Sequence, residues 1–430
     1  MTDQAFDSPT PNQAQLPWQE AFRFATVMWL SSRLVILLCL LVIAPALPTP
    51  EGGEAAIASW EIFSRWDSRI YDTIVTFGYQ FQNDGEGYNV AFFPLFPLLI
   101  KVAMELGLPF EVAGTLINNV AFWGALVILY CWVREEHHQA IARWATAALA
   151  WCPFSLFGTV IYTEGLFLLC STLALRSFEK QLYGWAAFWG ALTTAIRPPG
   201  VALIPTFLWV AWRERRTAIA YITAIASSMG LLLYTLYCGV RFGQPFAFVL
   251  AQRGWQSDDQ AFHGAVWLSR FMEVLIGPAN QDEGRIVDPW YPIALLILLA
   301  LAVVLWRTRH RLGSPKTGYG FCLVALALWL LGGSILVNLV MVFGGAYLLW
   351  HTRRDLGRVA LTYGVFSWLI ILSTGRTTSA ERYAFGVVTL AIALGLLLSR
   401  YPRWGYATMV FFGILMGSLS VRFAQGLWAG

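Results

Sequence analysis

The sequence predicts an all-α, polytopic membrane protein with about 10–13 transmembrane helices and with amphipathic interfacial helices in its first external loop. Hydrophobic residues make up 57% of the 430 residues, and charged residues make up 13%. The mean hydropathy is +0.58. A soluble globular domain carries about 25% charged residues, because its whole surface meets water. A chain with about half of that charge must turn much of its surface toward lipid.

Apolar runs long enough to cross about 30 Å of hydrocarbon recur along the chain. Clear examples are Phe24–Leu47, Val112–Trp132, Tyr291–Trp306, Phe385–Leu398 and Tyr406–Phe423. Helices satisfy their own backbone hydrogen bonds where no water is available, whereas the strands of a membrane barrel are short and alternate apolar with polar residues. These runs are continuous, so they indicate helices.

Basic residues collect in four short stretches between apolar runs, and positive loops mark the cytoplasmic side of a membrane. The stretches are Arg213, Arg215 and Arg216; Arg307, Arg309, Arg311 and Lys316; Arg353, Arg354 and Arg358; and Arg400 and Arg403. Nucleic-acid binding is the other common use of basic clusters, but loops this short between apolar runs do not suit it. We therefore expect membrane lipids, and no nucleic acid, among the partners.

The chain is predicted to hold one transmembrane domain, residues 22–430, after a disordered cytoplasmic tail, residues 1–21. The tail is polar and has no basic residue before Arg23, unlike a signal peptide, which needs a positive start. Two external loops are long, at about 48–91 and 241–289. Six cysteines lie inside apolar runs and are expected to be small buried hydrophobic residues.

Three segments have a less regular pattern. Trp60–Gly78 has apolar residues at helical spacing and is expected to lie in the membrane plane. Phe92–Leu108, with its prolines and charges, fits either a span or a re-entrant segment. Tyr319–Trp350 is interrupted by two glycines and has basic flanks, so two short spans fit its charge better than one.

Acids and bases are scarce, so those near the external boundary stand out. The sharpest group is Ser64–Tyr71, which reads Ser-Arg-Trp-Asp-Ser-Arg-Ile-Tyr, and a second motif, Ala91–Pro97, follows a turn-rich gap. Each also has a purely structural interpretation. The first could be the solvated face of an interfacial helix, and the second could be the kinked start of a helix.

Together these motifs resemble the amino-terminal signature of the GPI mannosyltransferase II (PIG-V-like) family, in the glycosyltransferase C (GT-C) superfamily. The matching residues are Arg65-Trp66-Asp67, Tyr71, Gly78-Tyr79, Ala91-Phe92-Phe93-Pro94 and Pro97. Shorter matches follow in the same order, at Tyr162-Thr163-Glu164, Arg197-Pro198-Pro199-Gly200, Gln252-Arg253-Gly254-Trp255 and Glu381-Arg382-Tyr383. Eukaryotic members usually have small uncharged residues where this chain has Pro198-Pro199, and the compact chain is more like bacterial relatives.

The resemblance implies a GT-C-like fold and an inverting transfer from a polyprenol- or dolichol-phosphate sugar donor to a lipid-linked or other glycan acceptor. Mannose is the expected sugar. The bacterial inner (plasma) membrane is the expected location, with the site facing the periplasm or exterior. The superfamily places a catalytic base, an aspartate, in the first external loop, and Asp67 is the residue that matches. Elementary chemistry agrees, because a positioned carboxylate can take the proton of an acceptor hydroxyl as it attacks. A pocket lined by Trp66 and Phe93 would strengthen this base by desolvation, whereas Arg65 or Arg69 would oppose that if close.

The leaving group of such a reaction is a lipid phosphate, so the site also needs a cation. Arginine suits this task because its planar fork can form two hydrogen bonds to phosphate. The candidates are Arg382, Arg253 and Arg197, in that order, although each could instead be an interfacial arginine that snorkels to lipid phosphate.

Further substrate contacts are expected from the motif positions and from one membrane-depth acid. The candidates are Trp66, Tyr71, Phe93, Glu164, Gln252 and Tyr383. Glu164 is flanked by apolar runs, and a carboxylate at membrane depth is costly enough to suggest a function. It could bind sugar hydroxyls, pair with Arg197, or simply lie at the water boundary.

No metal and no other cofactor is expected. Enzymes that hold a divalent cation on a nucleotide-sugar diphosphate commonly have two aspartates with one residue between them, and this sequence has no such triplet. The most similar triplet, Asp84-Gly85-Glu86, is typical of a solvated turn. Two other classes of function remain open at this level, a transporter or flippase for a sugar lipid and a non-catalytic membrane scaffold. Transporters usually show matched halves and paired charges near mid-membrane, whereas here the charges collect in external loops.

Overall fold

The computed structural model describes residues 17–255, 264–373, 377 and 379–429. All the regular secondary structure of these residues is helical, and no strand occurs among them. The predicted all-α class is therefore confirmed.

The first half of the chain alternates long helices with short 3₁₀ turns. Its elements are α1 (Pro17–Leu38), a π-helical turn (Cys39–Ile43), α2 (Ala44–Ala46), a 3₁₀ turn (Trp60–Phe63), α3 (Asp67–Phe77), a 3₁₀ turn (Asn89–Ala91), α4 (Leu95–Glu105), α5 (Phe110–Glu136), α6 (Gln139–Trp151), a 3₁₀ turn (Pro153–Gly158), α7 (Glu164–Glu179), α8 (Tyr183–Ile196), a 3₁₀ turn (Pro198–Ala202) and α9 (Leu203–Arg213).

The second half is built in the same way. Its elements are α10 (Ala218–Ala226), α11 (Met229–Phe242), α12 (Ala247–Gly254), α13 (Gly264–Ile276), α14 (Pro278–Asp282), α15 (Trp290–Leu312), α16 (Ser314–Leu339), a π-helical turn (Val340–Gly344), α17 (Gly345–Thr352), α18 (Arg358–Ser373), α19 (Ala380–Phe385), α20 (Val388–Arg400) and α21 (Pro402–Ala424).

Six helical runs in the described residues are long and apolar enough to cross a membrane. They are Trp18–Ala46, Phe110–Glu136, Ala218–Phe242, Trp290–Arg311, Lys316–Thr352 and Pro402–Ala424. Two shorter apolar helices, Arg358–Ser373 and Val388–Arg400, accompany them. The protein is thus an integral, multi-pass membrane protein. The total of about 10–13 crossings stays a prediction, since the others would fall on shorter helices.

The amino-terminal boundary lies earlier than predicted. Helix α1 begins at Pro17, and Ala21 is fully buried against the core, so residues 17–21 belong to the first helix and not to a tail. Proline is well suited to a first helical turn, where its missing N–H has no partner to lose. The rest of the predicted tail, residues 1–16, lies outside the described residues. All six cysteines are buried and free, as expected.

The predicted interfacial helix Trp60–Gly78 consists of two pieces. A 3₁₀ turn ends at Phe63, and α3 begins at Asp67, with Trp66 at a positive φ of 54° between them. Helix α3 is amphipathic, since Ser68, Tyr71, Ile74 and Val75 are buried on one face. The helical periodicity of the sequence continues across the break, so it could not reveal the turn.

The two ambiguous segments now have definite forms. Helix α4 has 11 residues, or about 16 Å of helix, which is too short to cross the bilayer as one span. The run Lys316–Thr352 breaks at Gly333, whose φ of 58° and ψ of −149° are not helical. The break divides this run into two arms, as two short spans require.

Three of the four basic stretches meet at one end of the molecule, namely 213–216, 353–358 and 400–403. Glu214 forms ion pairs with Arg216 at 2.8 Å and with Arg358 at 3.5 Å. Arg400 pairs with Asp355 at 2.8 Å. We call this the basic end.

Helix α7 connects the basic end to the opposite end. Arg216 donates a hydrogen bond of 2.5 Å to the carbonyl of Phe178, in the last turn of α7. The helix begins at Glu164 and has 16 residues, which corresponds to a length of about 24 Å. The acid at its start therefore lies most of a bilayer core away from the basic end.

Candidate active site

A cavity of about 530 Å³ lies around the start of α3, away from the basic end. Eight of the ten predicted site residues line it, namely Trp66, Asp67, Tyr71, Phe93, Arg197, Gln252, Arg382 and Tyr383. They come from both halves of the chain. The fold thus brings the amino-terminal motif and the later motifs to one place.

Asp67 is placed by the turn at Trp66. That residue's positive φ is not helical, so it separates the 3₁₀ turn from α3, and Asp67 is the first residue of α3. The amino end of a helix carries a partial positive charge, which attracts an acidic side chain placed there. The Asp67 side chain is 21% exposed, so it is largely shielded but open to the cavity.

Arg382 is the ion-pair partner of Asp67. Its NH1 lies 2.9 Å from Asp67 Oδ2, and its side chain is 7% exposed. Burial lowers the pKa of Arg382, but the carboxylates of Asp67 and Glu164 outweigh burial and hold that pKa well above its ordinary value. Arg382 is therefore a permanent cation fixed on the predicted base.

A strained residue precedes each of the two helices that carry this ion pair. The described residues include four non-glycine positions with positive φ, and two of them are Trp66 and Ser379. Trp66 directly precedes α3, and Ser379, at φ 63°, directly precedes α19, which carries Arg382. Backbone strain of this kind costs about 1–3 kcal/mol per residue and concentrates at functional sites.

Glu164 continues the ion pair into the protein interior. It is 1% exposed, and its Oε1 lies 2.5 Å from Arg197 NH1 and 3.4 Å from Arg382 Nε. Four side chains therefore form a row of alternating charge, from Asp67 through Arg382 and Glu164 to Arg197. We call this row the charge chain. The pairing of Glu164 with Arg197 agrees with one of the alternatives that the sequence left open.

Aromatic rings enclose the two arginines of the charge chain. The guanidinium carbon of Arg382 lies 5.0 Å from the ring centre of Tyr162 and 5.3 Å from that of Phe157. The guanidinium of Arg197 lies 5.0 Å from the Tyr383 ring. Aromatic faces attract cations, so these rings hold the arginines in place while excluding water.

Arg65 and Arg69 do not pair with Asp67. Both face Glu54, with which Arg65 forms a close ion pair and Arg69 a longer one of 3.7 Å. The sequence predicted that Arg65 or Arg69 would oppose the effect of desolvation on Asp67 if either lay close to it. In the structure both arginines pair with Glu54 instead. Glu54 also lines the cavity, although it belongs to none of the motifs in the sequence.

The remaining predicted residues differ in their surroundings. Phe93 is 2% exposed and packs on Tyr234 and Phe248, with ring centres at 5.1 Å and 5.4 Å. Tyr71 is also buried, and burial, together with the nearby carboxylates of Asp67 and Glu164, raises its pKa. Both residues therefore form the wall of the cavity.

Three residues depart from the expectations or were missed. Glu164 lies behind the cavity wall, and Arg253 is exposed and does not line the cavity. Trp428 was not predicted, yet it lines the cavity and stands edge-on to Trp66, with ring centres 5.2 Å apart. It lies near the carboxyl end in no motif, so only the tertiary fold reveals it.

Metal ligands do not gather at this site. In residues 17–255, 264–373, 377 and 379–429 there is no group of three or more His, Cys, Asp or Glu side chains placed to hold an ion.

Comparison with known proteins links the chain to one family. The family described as Mannosyltransferase (PIG-V) matches residues 51–253. The human GPI alpha-1,6-mannosyltransferase 2 is 28% identical over 156 residues, which are 33% of this chain and 30% of the relative. The rat protein of the same name is 30% identical over 157 residues, again 33% of this chain and 30% of the relative. The match thus spans less than a third of the length of these curated relatives.

Two solved structures are similar over most of the chain. The Archaeoglobus fulgidus oligosaccharyltransferase, in complex with Zn and sulfate, is 14% identical, with a TM-score of 0.45, and the match covers 95% of this chain and 53% of that one. ArnT from Cupriavidus metallidurans, bound to undecaprenyl phosphate, is 12% identical, with a TM-score of 0.42, and the match covers 93% and 78%.

The region matched by the family extends from the segment before α3, which carries Asp67, to α12, which carries Gln252. It includes Glu164 and Arg197 of the charge chain. The resemblance to the GPI mannosyltransferase II (PIG-V) family that the motifs predict is therefore confirmed.

Proposed function

We propose that this protein is an inverting glycosyltransferase that moves a sugar, expected to be mannose, from a polyprenol-phosphate donor to a lipid-linked or other glycan acceptor. The reaction would take place on the side of the membrane opposite the basic end, which is the periplasmic, lumenal or exterior side. The observation that carries the proposal is the Asp67–Arg382 pair, at 2.9 Å, on the wall of a cavity about one helix length from the basic end.

Asp67 is assigned the role of general base. Arg382 contacts Oδ2 of the carboxylate, so we assign Oδ1 to the proton of the acceptor hydroxyl. The acceptor oxygen bonds to the anomeric carbon of the sugar as the bond from that carbon to the phosphate oxygen breaks. The electron pair of the broken bond leaves with the polyprenyl phosphate, and the proton passes to Asp67. A single displacement of this kind inverts the anomeric centre.

The charge balance of the cavity suits an anionic donor. Arg65, Arg69, Arg197 and Arg382 line it, together with the acids Glu54 and Asp67, and Glu164 lies directly behind. Four arginines against three carboxylates leave one net positive charge. The leaving phosphate gains one negative charge in the reaction, and fixed cations in a shielded site stabilise such developing charge.

Arg382 is our first candidate for the phosphate contact. Its NH1 and Nε face the two carboxylates of the charge chain, which leaves NH2 to approach the donor. Arg69 can assist, because its side chain is 64% exposed and its ion pair with Glu54 is long, at 3.7 Å. We assign no phosphate contact to Arg253, which is exposed outside the cavity lining.

The proposal is tested with purified protein in nanodiscs, a radiolabelled polyprenyl-phosphate mannose and a lipid acceptor. Asp67→Asn keeps the size of the side chain but removes the base, and we expect transfer to fall by a factor of about 10²–10⁴. Asp72→Asn is the matched control, because Asp72 lies on the same helix with its side chain exposed, and it should transfer at the wild-type rate.

Two outcomes would contradict the proposal. Turnover of Asp67→Asn near the wild-type rate would exclude a base at this position. Movement of the sugar lipid across the bilayer by the wild-type protein, with no transfer product, would instead identify a flippase.

A further inference from the structure

A second cavity adjoins the first. Its volume is about 250 Å³, and Ser379 and Trp428 line both cavities. The walls of the second cavity come from α13, from the arm of α16 that follows the break at Gly333, and from α19. On α19, Arg382 faces the first cavity and its neighbour Glu381 faces the second, as adjacent residues on a helix point in different directions.

Three buried polar atoms of this second cavity have no hydrogen-bond partner among the described residues. They are Oε2 of Glu381, Oδ1 of Asn338 and Nε1 of Trp267. The three residues are 3%, 9% and 8% exposed. Asn338 is held in place because its Nδ2 donates to the carbonyl of Thr377. Buried polar groups are nearly always paired in native proteins, so three unpaired groups on residues that line one cavity point to a ligand that pairs with them.

The chemistry of these atoms indicates the chemistry of the ligand. The carboxyl oxygen of Glu381, the amide oxygen of Asn338 and the N–H of Trp267 match the hydroxyl groups of a sugar ring, which both donate and accept hydrogen bonds. The rings of Trp267 and Trp428 add apolar surface to the lining. A phosphate does not suit the cavity, because it needs a cation in the lining that is free to bind it. Arg270, the cation in the lining, is already paired with Glu273 at 2.7 Å. A hydrocarbon tail would leave the three polar atoms unpaired.

We propose that the second cavity is a sugar-binding subsite, in which Glu381, Asn338 and Trp267 hold a neutral sugar ring of the acceptor beside the Asp67–Arg382 pair. Its assignment to the acceptor rests on the proposed function, because a transferase must hold the acceptor within reach of its base. The binding of a sugar ring in this cavity does not itself require transfer.

The binding experiment uses octyl α-D-mannopyranoside as the probe and octanol, which has the same tail without the sugar ring, as its reference. Saturation-transfer NMR on the protein in nanodiscs measures both affinities without any donor. We expect wild-type protein to prefer the mannoside, and Glu381→Gln and Asn338→Leu each to weaken mannoside binding by about tenfold, the effect of losing one hydrogen bond to a buried partner. Glu283→Gln is the control, since Glu283 is exposed and pairs with Arg285 at 3.6 Å, and it should bind like the wild type.

A kinetic experiment with the same variants separates the two proposals. With octyl mannoside as acceptor and polyprenyl-phosphate mannose as donor, Glu381→Gln should raise the KM of the acceptor about tenfold and leave the KM of the donor unchanged. If Glu381→Gln and Asn338→Leu both transfer with the acceptor KM of the wild type, the proposed sugar subsite is wrong, and the proposed transferase activity still stands. If the wild-type protein binds the mannoside through Glu381 but transfers no sugar, the proposed transferase activity is wrong, and the sugar-binding site still stands. Glu381→Gln changes no side-chain size, so it remains a test if Asn338→Leu fails to fold.

Discussion

Replacement of Arg197 by methionine should be among the most destabilising single changes in the charge chain. Arg197 is 10% exposed in its side chain and lies 2.5 Å from Glu164, which is 1% exposed. Removing one partner of a buried ion pair leaves the other charge uncompensated and costs about 3–5 kcal/mol. Arg382 remains 3.4 Å from Glu164 and offsets part of this loss. We therefore expect a cost at the lower end of that range, about 3 kcal/mol.

The double variant Arg197→Met with Glu164→Met separates the lost charge balance from the lost packing. When both partners are replaced by apolar side chains, no uncompensated charge remains, and such replacements are often neutral. The double variant should thus be more stable than Arg197→Met alone, by about 2 kcal/mol or more. Arg69→Met is the control, since that side chain is 64% exposed with a 3.7 Å ion pair, and it should cost less than about 1 kcal/mol.

Reversible unfolding in mixed micelles of SDS and a mild detergent, followed by tryptophan fluorescence, measures these free energies directly. The reasoning predicts a coupling energy of about 2 kcal/mol between positions 164 and 197. Additive losses, with the double variant less stable than either single variant, would show that the two charges do not stabilise each other.

Two further predictions concern the cavity walls. Gly254→Ala should lower transfer and destabilise α12, because a Cβ there would lie 2.1 Å from the backbone carbon of Glu86. Gly184→Ala is the control, since no atom lies within 4 Å of the Cβ that it adds, and it should behave like the wild type in activity and unfolding assays. Glu381 should make stability depend on pH, because burial raises its pKa to about 7. The folded state then favours the protonated acid, so this contribution is complete below the ordinary pKa of 4.5 and is lost as pH rises to about 7. Between pH 5 and pH 8 the free energy of unfolding should fall by on the order of 3 kcal/mol more in the wild type than in Glu381→Gln. Among the cations nearby, Arg382 lowers the pKa of the acid by its charge, and Arg270 lines the same cavity. An equal fall in both proteins would contradict this prediction.

The charges around Asp67 make its segment stand out in the sequence, and the family resemblance then identifies Asp67 as the candidate base. A carboxylate between two arginines and beside a tryptophan, next to a long apolar run, is rare in a chain with 13% charged residues. Such groups are costly near lipid, so they point to function. The same argument located Glu164. Composition and apolar runs likewise sufficed for the helical membrane class, because the bilayer admits few alternatives.

The pairing of Glu164 with Arg197 was one of the alternatives that the sequence offered, but the partner of Asp67 could not be predicted in the same way. Arg382 was a candidate for phosphate, but its contact with Asp67 joins residues from opposite ends of the chain. Glu54 was absent from the prediction, although it captures Arg65 and Arg69. Such pairings depend on how helices pack, and no local pattern encodes them. The turn at Trp66 was missed for a related reason, since helical periodicity alone does not register a single residue at positive φ.

The charge chain is least exposed at Glu164. The side chain of Asp67 is 21% exposed, that of Arg197 10% and that of Arg382 7%, whereas that of Glu164 is 1% exposed. Each charge neutralises its neighbour, so the row can be buried without a net charge, with Glu164 behind the cavity wall and the other three members in the lining. Arg197 thus fixes Glu164, Glu164 fixes Arg382, and Arg382 fixes the carboxylate that we assign as base. In this arrangement Glu164 and Arg197 act as positioning residues, and a transferase site needs that rigidity, because its base must meet the acceptor hydroxyl at hydrogen-bonding distance.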